Sequence, residues 1–223
     1  MNPYISVRHT MHRKMLWCTM SIAVLVTSVW GCRQHKPKLV DIGVVPEFAF
    51  LDQNNKPIGS ADLRGRPWVA SFAFTSCASA CPPLMRAHAK LQKRVNSWND
   101  PDASKVSLVT ITVDPATDTP ERLKKYSEVY DVDDRVWRFA RGEYKEMEEL
   151  VTKGFMMPLI RNDAVDGKDV TSEPTPIDTA HSVRFVLVDG DMHIRGLFEK
   201  DEHSLRRLDA ALQYLVNQRE VRE

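Results

Sequence analysis

A buried-strand pattern that runs directly into a pair of cysteines and an amphipathic helix constrains the fold of this chain most strongly. Residues 68–75 form an almost continuous apolar run of strand length, Trp-Val-Ala-Ser-Phe-Ala-Phe-Thr. Cys77 and Cys81 follow, and the next two residues, Pro82 and Pro83, suit the first turn of a helix, where no internal N–H bond is lost. An apolar stripe at spacings of three and four predicts that helix: Leu84, Ala87, Leu91, Val95 and Trp98.

The remaining periodic segments occur in an order that predicts the fold class. Other strands are predicted over residues 46–50, 106–113, 183–188 and 193–198. Other helices are predicted from the capped start Thr119-Pro120-Glu121, over residues 144–153, and at a C-terminal leucine stripe: Leu205, Leu208, Leu212 and Leu215. Parallel strands joined by helices and closed by an antiparallel pair predict an α/β fold of the thioredoxin-like sandwich type. We expect a central mixed sheet flanked by helices, with an N-terminal strand extension.

The first 31 residues differ from the rest of the chain. They contain Arg8, Arg13 and Lys14 but no acidic residue, and residues 15–30 are almost wholly apolar or small, which is the order of an export signal. The run ends in Val29-Trp30-Gly31-Cys32, which resembles a bacterial lipoprotein signal and predicts that Cys32 carries lipid. Plain secretion and an uncleaved anchor are the alternatives.

The predicted organisation is therefore a signal segment (residues 1–31), a polar tether (32–45) and a thioredoxin-like domain (46–223). All three interpretations of the N-terminus place the domain outside the cytoplasm. The anchored interpretations hold it on the periplasmic side of a bacterial membrane. The net charge of the whole chain is +1, which gives no general reason to expect nucleic acid as a partner.

The positions of the four cysteines favour a reactive pair over a structural disulfide framework. Cys18 lies inside the signal and Cys32 is the predicted lipid site, so the domain retains only Cys77 and Cys81. A domain stapled by disulfides needs more cysteines, spread more widely. A lone close pair is typical of redox chemistry or metal binding.

The local chemistry of the pair is compatible with both functions. A helix N-terminus favours the thiolate, which is the form that attacks disulfides and also the form that binds metal. Three residues separate Cys77 from Cys81, so a disulfide can form, and an ion also has room between the sulfurs. Two soft thiolates suit Cu(I), whereas a structural zinc site needs four ligands and the domain has no second cysteine pair.

A third copper ligand is expected among the seven histidines. His181 is the candidate because it follows a long loop, predicted over residues 154–180, and immediately precedes a core strand whose start can approach the cysteine loop. Asp178, three residues earlier, is placed to orient the imidazole. We interpret His88, His193 and His203 as surface or capped residues rather than ligands.

Three segments, in this order, resemble the Sco/SenC family of copper chaperones. They are residues 72–82 (Phe-Ala-Phe-Thr-Ser-Cys-Ala-Ser-Ala-Cys-Pro), residues 113–120 (Val-Asp-Pro-Ala-Thr-Asp-Thr-Pro), and residues 178–182 (Asp-Thr-Ala-His-Ser) with the following Leu-Val-Asp and Arg-Gly. The resemblance implies a thioredoxin fold with an exposed copper site made by Cys77, Cys81 and His181. It further implies delivery of Cu(I), with Cu(II) as a further oxidation state, to the binuclear copper centre of cytochrome c oxidase, or reduction of that centre's cysteines.

Two functional hypotheses remain open at this point, and two local features depart from the family pattern. A metallochaperone is a binding protein that needs His181, whereas a thiol–disulfide oxidoreductase is an enzyme that needs only Cys77 and Cys81 as its redox-active disulfide. A peroxide-reducing thiol enzyme is disfavoured because no activating polar cluster accompanies the pair. Ala78 replaces a frequent proline, and Met156-Met157 invites a thioether-ligand hypothesis against the alternative that both pack under the loop.

Overall fold

Seven strands form one sheet in the computed structural model, which describes residues 36–98, 105–159 and 184–220. The strands are β1 (Ala49–Asp52), β2 (Pro57–Gly59), β3 (Trp68–Ala73), β4 (Ser107–Thr112), β5 (Trp137–Arg141), β6 (Phe185–Val188) and β7 (Ile194–Phe198). The helices are α1 (Ser60–Leu63), α2 (Cys81–Ser97), α3 (Pro120–Val129), α4 (Tyr144–Glu149) and α5 (Glu202–Glu220), and a π-helical turn (Leu150–Gly154) continues α4.

The sheet order is β2-β1-β5-β4-β3-β6-β7, and its centre is parallel. Strand β4 pairs in parallel with both β3 and β5, whereas β6 and β7 continue the sheet antiparallel on one side and β1 and β2 on the other. All six residues of β3 and all six of β4 are buried, which explains their continuous apolar sequence. The thioredoxin-like sandwich with an N-terminal strand extension is therefore confirmed.

Each face of the sheet is covered by its own core. The first core contains the cysteines and the apolar stripes of α2 and α5, with Leu84, Leu91, Leu208 and Leu212 fully buried. The second core lies around α4 and its π-helical turn and contains Phe72, Phe155 and Met157. The described residues from position 37 onward form one unit.

The differences from the predicted elements have local causes. Strand β5 was not predicted because its five residues, Trp-Arg-Phe-Ala-Arg, interleave two arginines with the apolar positions. The predicted strand over 46–50 is displaced to Ala49–Asp52, since register with Arg141 and Ala140 of β5 sets its bounds. The helix predicted over 144–153 is α-helical only to Glu149 and then widens into the π-helical turn.

Residues 40–45, assigned to the tether from the sequence, run along β7. The Val40 and Ile42 N–H groups donate to the carbonyl oxygens of Arg195 and Ile194, both at 3.1 Å, and the Val45 N–H donates to the carbonyl oxygen of Met192 at 2.9 Å.

The predicted signal and Cys32 lie outside the described residues. Of the predicted long loop, only residues 154–159 are described. Within the described ranges, no helix is both long and apolar enough to cross a membrane.

Candidate functional site

The cysteine pair lies where the chain leaves the carboxyl end of β3 and enters α2. Helix α2 begins at Cys81, and residues 78–80 before it form a bend rather than a helical turn. Cys77 is 7% exposed and Cys81 is 5% exposed, and neither forms a disulfide in the part of the chain that the structure describes. The prediction of both cysteines at a strand–helix junction is confirmed, with Cys77 before the helix and Cys81 as its first residue.

The sulfur of Cys77 caps the start of α2. Cys81 N–H donates to Cys77 Sγ at 3.1 Å. The N-cap residue Ala80 has no side chain that can accept a hydrogen bond, and Pro82 and Pro83 have no N–H to be satisfied. The sulfur therefore takes the place of a capping oxygen, and the positive end of the helix is directed at it. This is the electrostatic setting in which a thiolate attacks disulfides or binds a metal ion.

Asp118 holds the loop that leads to Cys77. Its carboxylate accepts from the Thr75 N–H (3.1 and 3.2 Å), from the Thr75 hydroxyl, and from the Thr112 hydroxyl at 2.5 Å. Burial raises the pKa of the Asp118 carboxyl, the two threonines oppose that rise, and nearby Asp114 adds to it. The side chain of Asp118 therefore reaches across from the start of α3 to the segment before the cysteines. Thr119 is the N-cap of α3, as predicted.

Tyr126 of α3 is a second neighbour of the pair that the sequence interpretation missed. Its side chain packs against the first core, which includes both cysteines. Burial raises the pKa of the Tyr126 phenol, and Tyr130, Cys81 and Cys77 raise it further. No sequence signal identifies Tyr126, because it reaches the cysteines only through the packing of α3 on the sheet.

The predicted third ligand, His181, and its predicted partner Asp178 lie outside the described residues. Among the described residues, no group of three His, Cys, Asp or Glu side chains is arranged to hold a metal ion. Strand β6 runs antiparallel to β3 with Val186 opposite Ala70, so β6 begins at the same end of the sheet as the cysteine loop.

Methionines 156 and 157 lie apart from the cysteines in their packing. Met157 is 8% exposed and belongs to the second core, whereas both cysteines belong to the first. Met156 is 53% exposed, with a positive φ of 54°. Packing of Met157 in the second core fits the alternative to a thioether ligand.

The histidines that the sequence analysis set aside occupy two kinds of environment. His193 is partly exposed and its Nδ1 lies 3.0 Å from Asp41, and His203 is exposed in the first turn of α5. His88 is completely buried, so its interpretation as a surface or capped residue is wrong. It lies on the inner stripe of α2, where Nδ1 is 3.3 Å from Ser71 Oγ and 3.2 Å from Thr110 Oγ1.

A cysteine pair at the start of a helix that follows a central parallel strand defines a class of thioredoxin-fold proteins. Members of this class act through thiols, by disulfide exchange or by metal binding. The model of the SCO1/SenC family matches residues 39–217 of this chain. The chain therefore belongs to the SCO1/SenC family.

Individual relatives agree with this assignment. The "SCO1 protein homolog" of Bacillus subtilis is 34% identical over 112 residues, a match that spans 50% of this chain and 56% of the relative. A "Putative copper-binding protein" of Stutzerimonas stutzeri is 26% identical over 152 residues, 68% of this chain and 67% of the relative. The solved structure of BsSco, described as a member of the Sco family of cytochrome c oxidase assembly proteins with a disulfide switch, superposes with a TM-score of 0.64 at 25% identity. That match covers 80% of this chain and 96% of BsSco.

Proposed function

We propose that this protein is a copper carrier that binds Cu(I) through Cys77, Cys81 and His181. It delivers the metal to the copper-bearing subunit of cytochrome c oxidase, at the binuclear copper centre, or to another copper protein, and Cu(II) is a second oxidation state of the cargo. The observation that carries this proposal is the placement of two cysteines, not joined in a disulfide, at the start of α2, with Cys77 Sγ accepting the Cys81 N–H.

The donor set favours copper over other metals. Two thiolates are soft ligands of the kind that Cu(I) prefers at low coordination number. Zinc in a structural site needs four ligands, which two cysteines and one histidine do not supply. The Stutzerimonas stutzeri relative is named as a copper-binding protein, and BsSco is a member of the Sco family of cytochrome c oxidase assembly proteins.

The direction of β6 supports His181 as the third ligand. The strand begins at Phe185, at the end of the sheet where β3 leads into the cysteine loop. His181 precedes that first residue by only four positions. A four-residue connection spans about 14 Å at most when fully extended, which limits how far the imidazole lies from that end of the sheet.

Cu(I) affinity of the reduced full chain in detergent, measured by competition with a chromogenic chelator, tests this site. We expect one equivalent of Cu(I), loss of binding in Cys77→Ser/Cys81→Ser, and an affinity at least tenfold weaker in His181→Ala. His193→Ala is the matched control, because His193 lies beyond the opposite end of β6. Wild-type affinity in His181→Ala contradicts the three-ligand site.

A thiol–disulfide oxidoreductase that reduces the cysteines of the oxidase copper centre is the second candidate. The observation that favours it is the closeness of Cys77 Sγ to the backbone of Cys81, since this spacing permits a disulfide to form. Such a disulfide removes both thiolates and so abolishes copper binding. Titration of the pair in glutathione redox buffers, with wild type and His181→Ala compared, separates the two functions. Exchange with a peptide disulfide in both proteins, without competitive Cu(I) binding, favours the oxidoreductase.

We propose further that residues 1–31 export the chain and that Cys32 becomes its lipidated N-terminus, so that the domain is held on the periplasmic side of the membrane. The basic start, the apolar run and Gly31-Cys32 support this proposal. The test is mass spectrometry of the protein recovered from fractionated cells that express wild type or Cys32→Ala. We expect wild type to carry the additional mass of the lipid and the variant to lack it. An intact N-terminus in both proteins, with masses that differ only by the Cys32→Ala substitution itself, favours an uncleaved anchor.

A further inference from the structure

Helix α2 carries positive charge without any negative charge. Its basic residues are Arg86, Lys90, Lys93 and Arg94, and its 17 residues contain no Asp or Glu. After removal of the three basic residues of the signal, residues 32–223 carry 28 Lys and Arg against 30 Asp and Glu. The helix that begins at Cys81 therefore concentrates positive charge in a domain that is otherwise acidic. Acidic side chains are stabilising in the first turn of a helix, and α2 has none there.

Part of this charge lines a shallow groove between the first half of α2 and the connection from β7 to α5. The groove has a volume of about 490 Å³. We call it the basic groove, and it is lined by Pro83, Arg86, Ala87, Lys90, Glu199, Lys200 and Asp201.

The two acidic side chains of the basic groove already have partners. Glu199 Oε1 lies 2.9 Å from Arg184 Nε. Asp201 Oδ1 accepts from the His203 N–H at 2.9 Å and from the Ser204 N–H at 3.0 Å. The Ser204 N–H and hydroxyl, together with the His203 N–H, hold the pKa of Asp201 below its usual range.

The three cations of the basic groove are not neutralised by these acids. Arg86, Lys90 and Lys200 are exposed, and among the residues that the structure describes none of them forms an ion pair. The basic groove therefore presents a net positive surface to solvent. Such a surface attracts an acidic partner and raises its association rate in a salt-dependent way.

The position of the basic groove relates it to the cysteines. Pro83, at one end of its lining, follows Cys81 by two residues in the first turn of α2. A protein segment that occupies the groove therefore lies beside the loop that carries Cys77 and Cys81. We propose that the basic groove docks an acidic segment of the protein that exchanges copper or a disulfide with this pair. Whether copper or a disulfide is exchanged rests on the proposed function, whereas binding of an acidic segment in the basic groove does not.

Binding of a fluorescently labelled decaglutamate peptide to the reduced full chain in detergent tests the docking. Fluorescence anisotropy measures Kd at about 0.1 M salt, with decaglutamine as the neutral probe. The groove variant is Lys90→Glu/Lys200→Glu. The matched control is Lys56→Glu/Lys145→Glu, which changes the net charge equally at exposed positions on the β1–β2 turn and on α4.

We expect the groove variant to raise Kd for decaglutamate roughly tenfold, because two attractive surface contacts become repulsive. The control variant is expected to change Kd by less than about twofold, since exposed charges beyond about 10 Å are largely screened at 0.1 M salt. Equal weakening in both variants, or equal affinity for decaglutamine, overturns the proposal.

A second measurement keeps this inference separate from the copper proposal. The decaglutamate assay contains no copper, so a failure of the copper site leaves its result unchanged. With the soluble copper-bearing domain of the oxidase subunit as acceptor, the groove variant is expected to transfer Cu(I) at least fivefold more slowly at unchanged Cu(I) affinity. An unchanged transfer rate overturns the proposal that the basic groove docks the protein that receives the copper.

Discussion

His88 is a titratable side chain enclosed in the first core, and its burial makes stability depend on pH. The imidazole packs at a tilt against Trp137 with ring centroids 4.2 Å apart and meets Phe185 edge-on at 5.2 Å. Its Nε2 has no hydrogen-bond partner among the described residues. Burial lowers the pKa of His88 from 6.5 to about 3. The folded protein therefore keeps this imidazole neutral at pH values where the unfolded chain protonates it.

The sign and size of the effect follow from proton linkage. Above pH 6.5 the imidazole is neutral in both states, so it adds no pH dependence. Below 6.5 the unfolded chain binds a proton that the folded protein excludes until about pH 3, so stability falls as pH falls through this window. The interval from pH 6.5 to pH 5 is about 1.5 pH units, and each unit changes the free energy of unfolding by about 1.4 kcal/mol. The free energy of unfolding is therefore expected to be about 2 kcal/mol lower at pH 5.

Urea unfolding of wild type and His88→Gln at pH 7 and pH 5 measures this contribution. Other groups titrate in both proteins, so the informative quantity is the difference in their pH dependence. We expect the loss between pH 7 and pH 5 to be about 2 kcal/mol smaller in His88→Gln, whatever its baseline stability. His203→Gln, which removes an exposed imidazole, is the control and is expected to keep the wild-type pH dependence. Equal pH dependence of wild type and His88→Gln refutes the reasoning.

Further predictions concern the residues around the site and the methionines. Asp118→Asn is expected to lower the free energy of unfolding in urea by roughly 1–3 kcal/mol, because the Thr75 and Thr112 donors lose a charged acceptor. Backbone amide hydrogens in the segment that follows Thr75 are expected to exchange faster, and unchanged exchange contradicts the role of Asp118 in holding this segment. Thr119→Ala removes the N-cap of α3 and is expected to cost about 0.5–1 kcal/mol by the same assay. Met157→Ala is expected to cost roughly 2–5 kcal/mol without changing Cu(I) affinity, whereas Met156→Ala stays within about 0.5 kcal/mol of wild type. Weaker Cu(I) binding in either methionine variant supports a thioether ligand instead.

Much of the fold could be predicted because its signals are local. The buried strands β3 and β4 are continuous apolar runs, and α2 and α5 carry apolar residues at helical spacing, so each element is visible without its partners. Strand β5 escaped prediction because its burial depends on pairing between β4 and β1, which only the assembled sheet provides. The π-helical turn after α4 likewise has no local signal.

The amino-acid sequence by itself determined the strand–cysteine–helix junction, the family motifs and the cap at Thr119, because each depends on residues close together in the chain. Only the tertiary structure decided what surrounds that junction. Asp118 contacts Thr75 across 43 positions of sequence, and His88 contacts Thr110 across 22, so their environments are set by how strands and helices pack. The pairing of Glu199 with Arg184, and of Asp201 with the His203 and Ser204 N–H groups, is decided there too. Side-chain burial and pairing between distant segments are properties of the packed chain, and no local pattern encodes them.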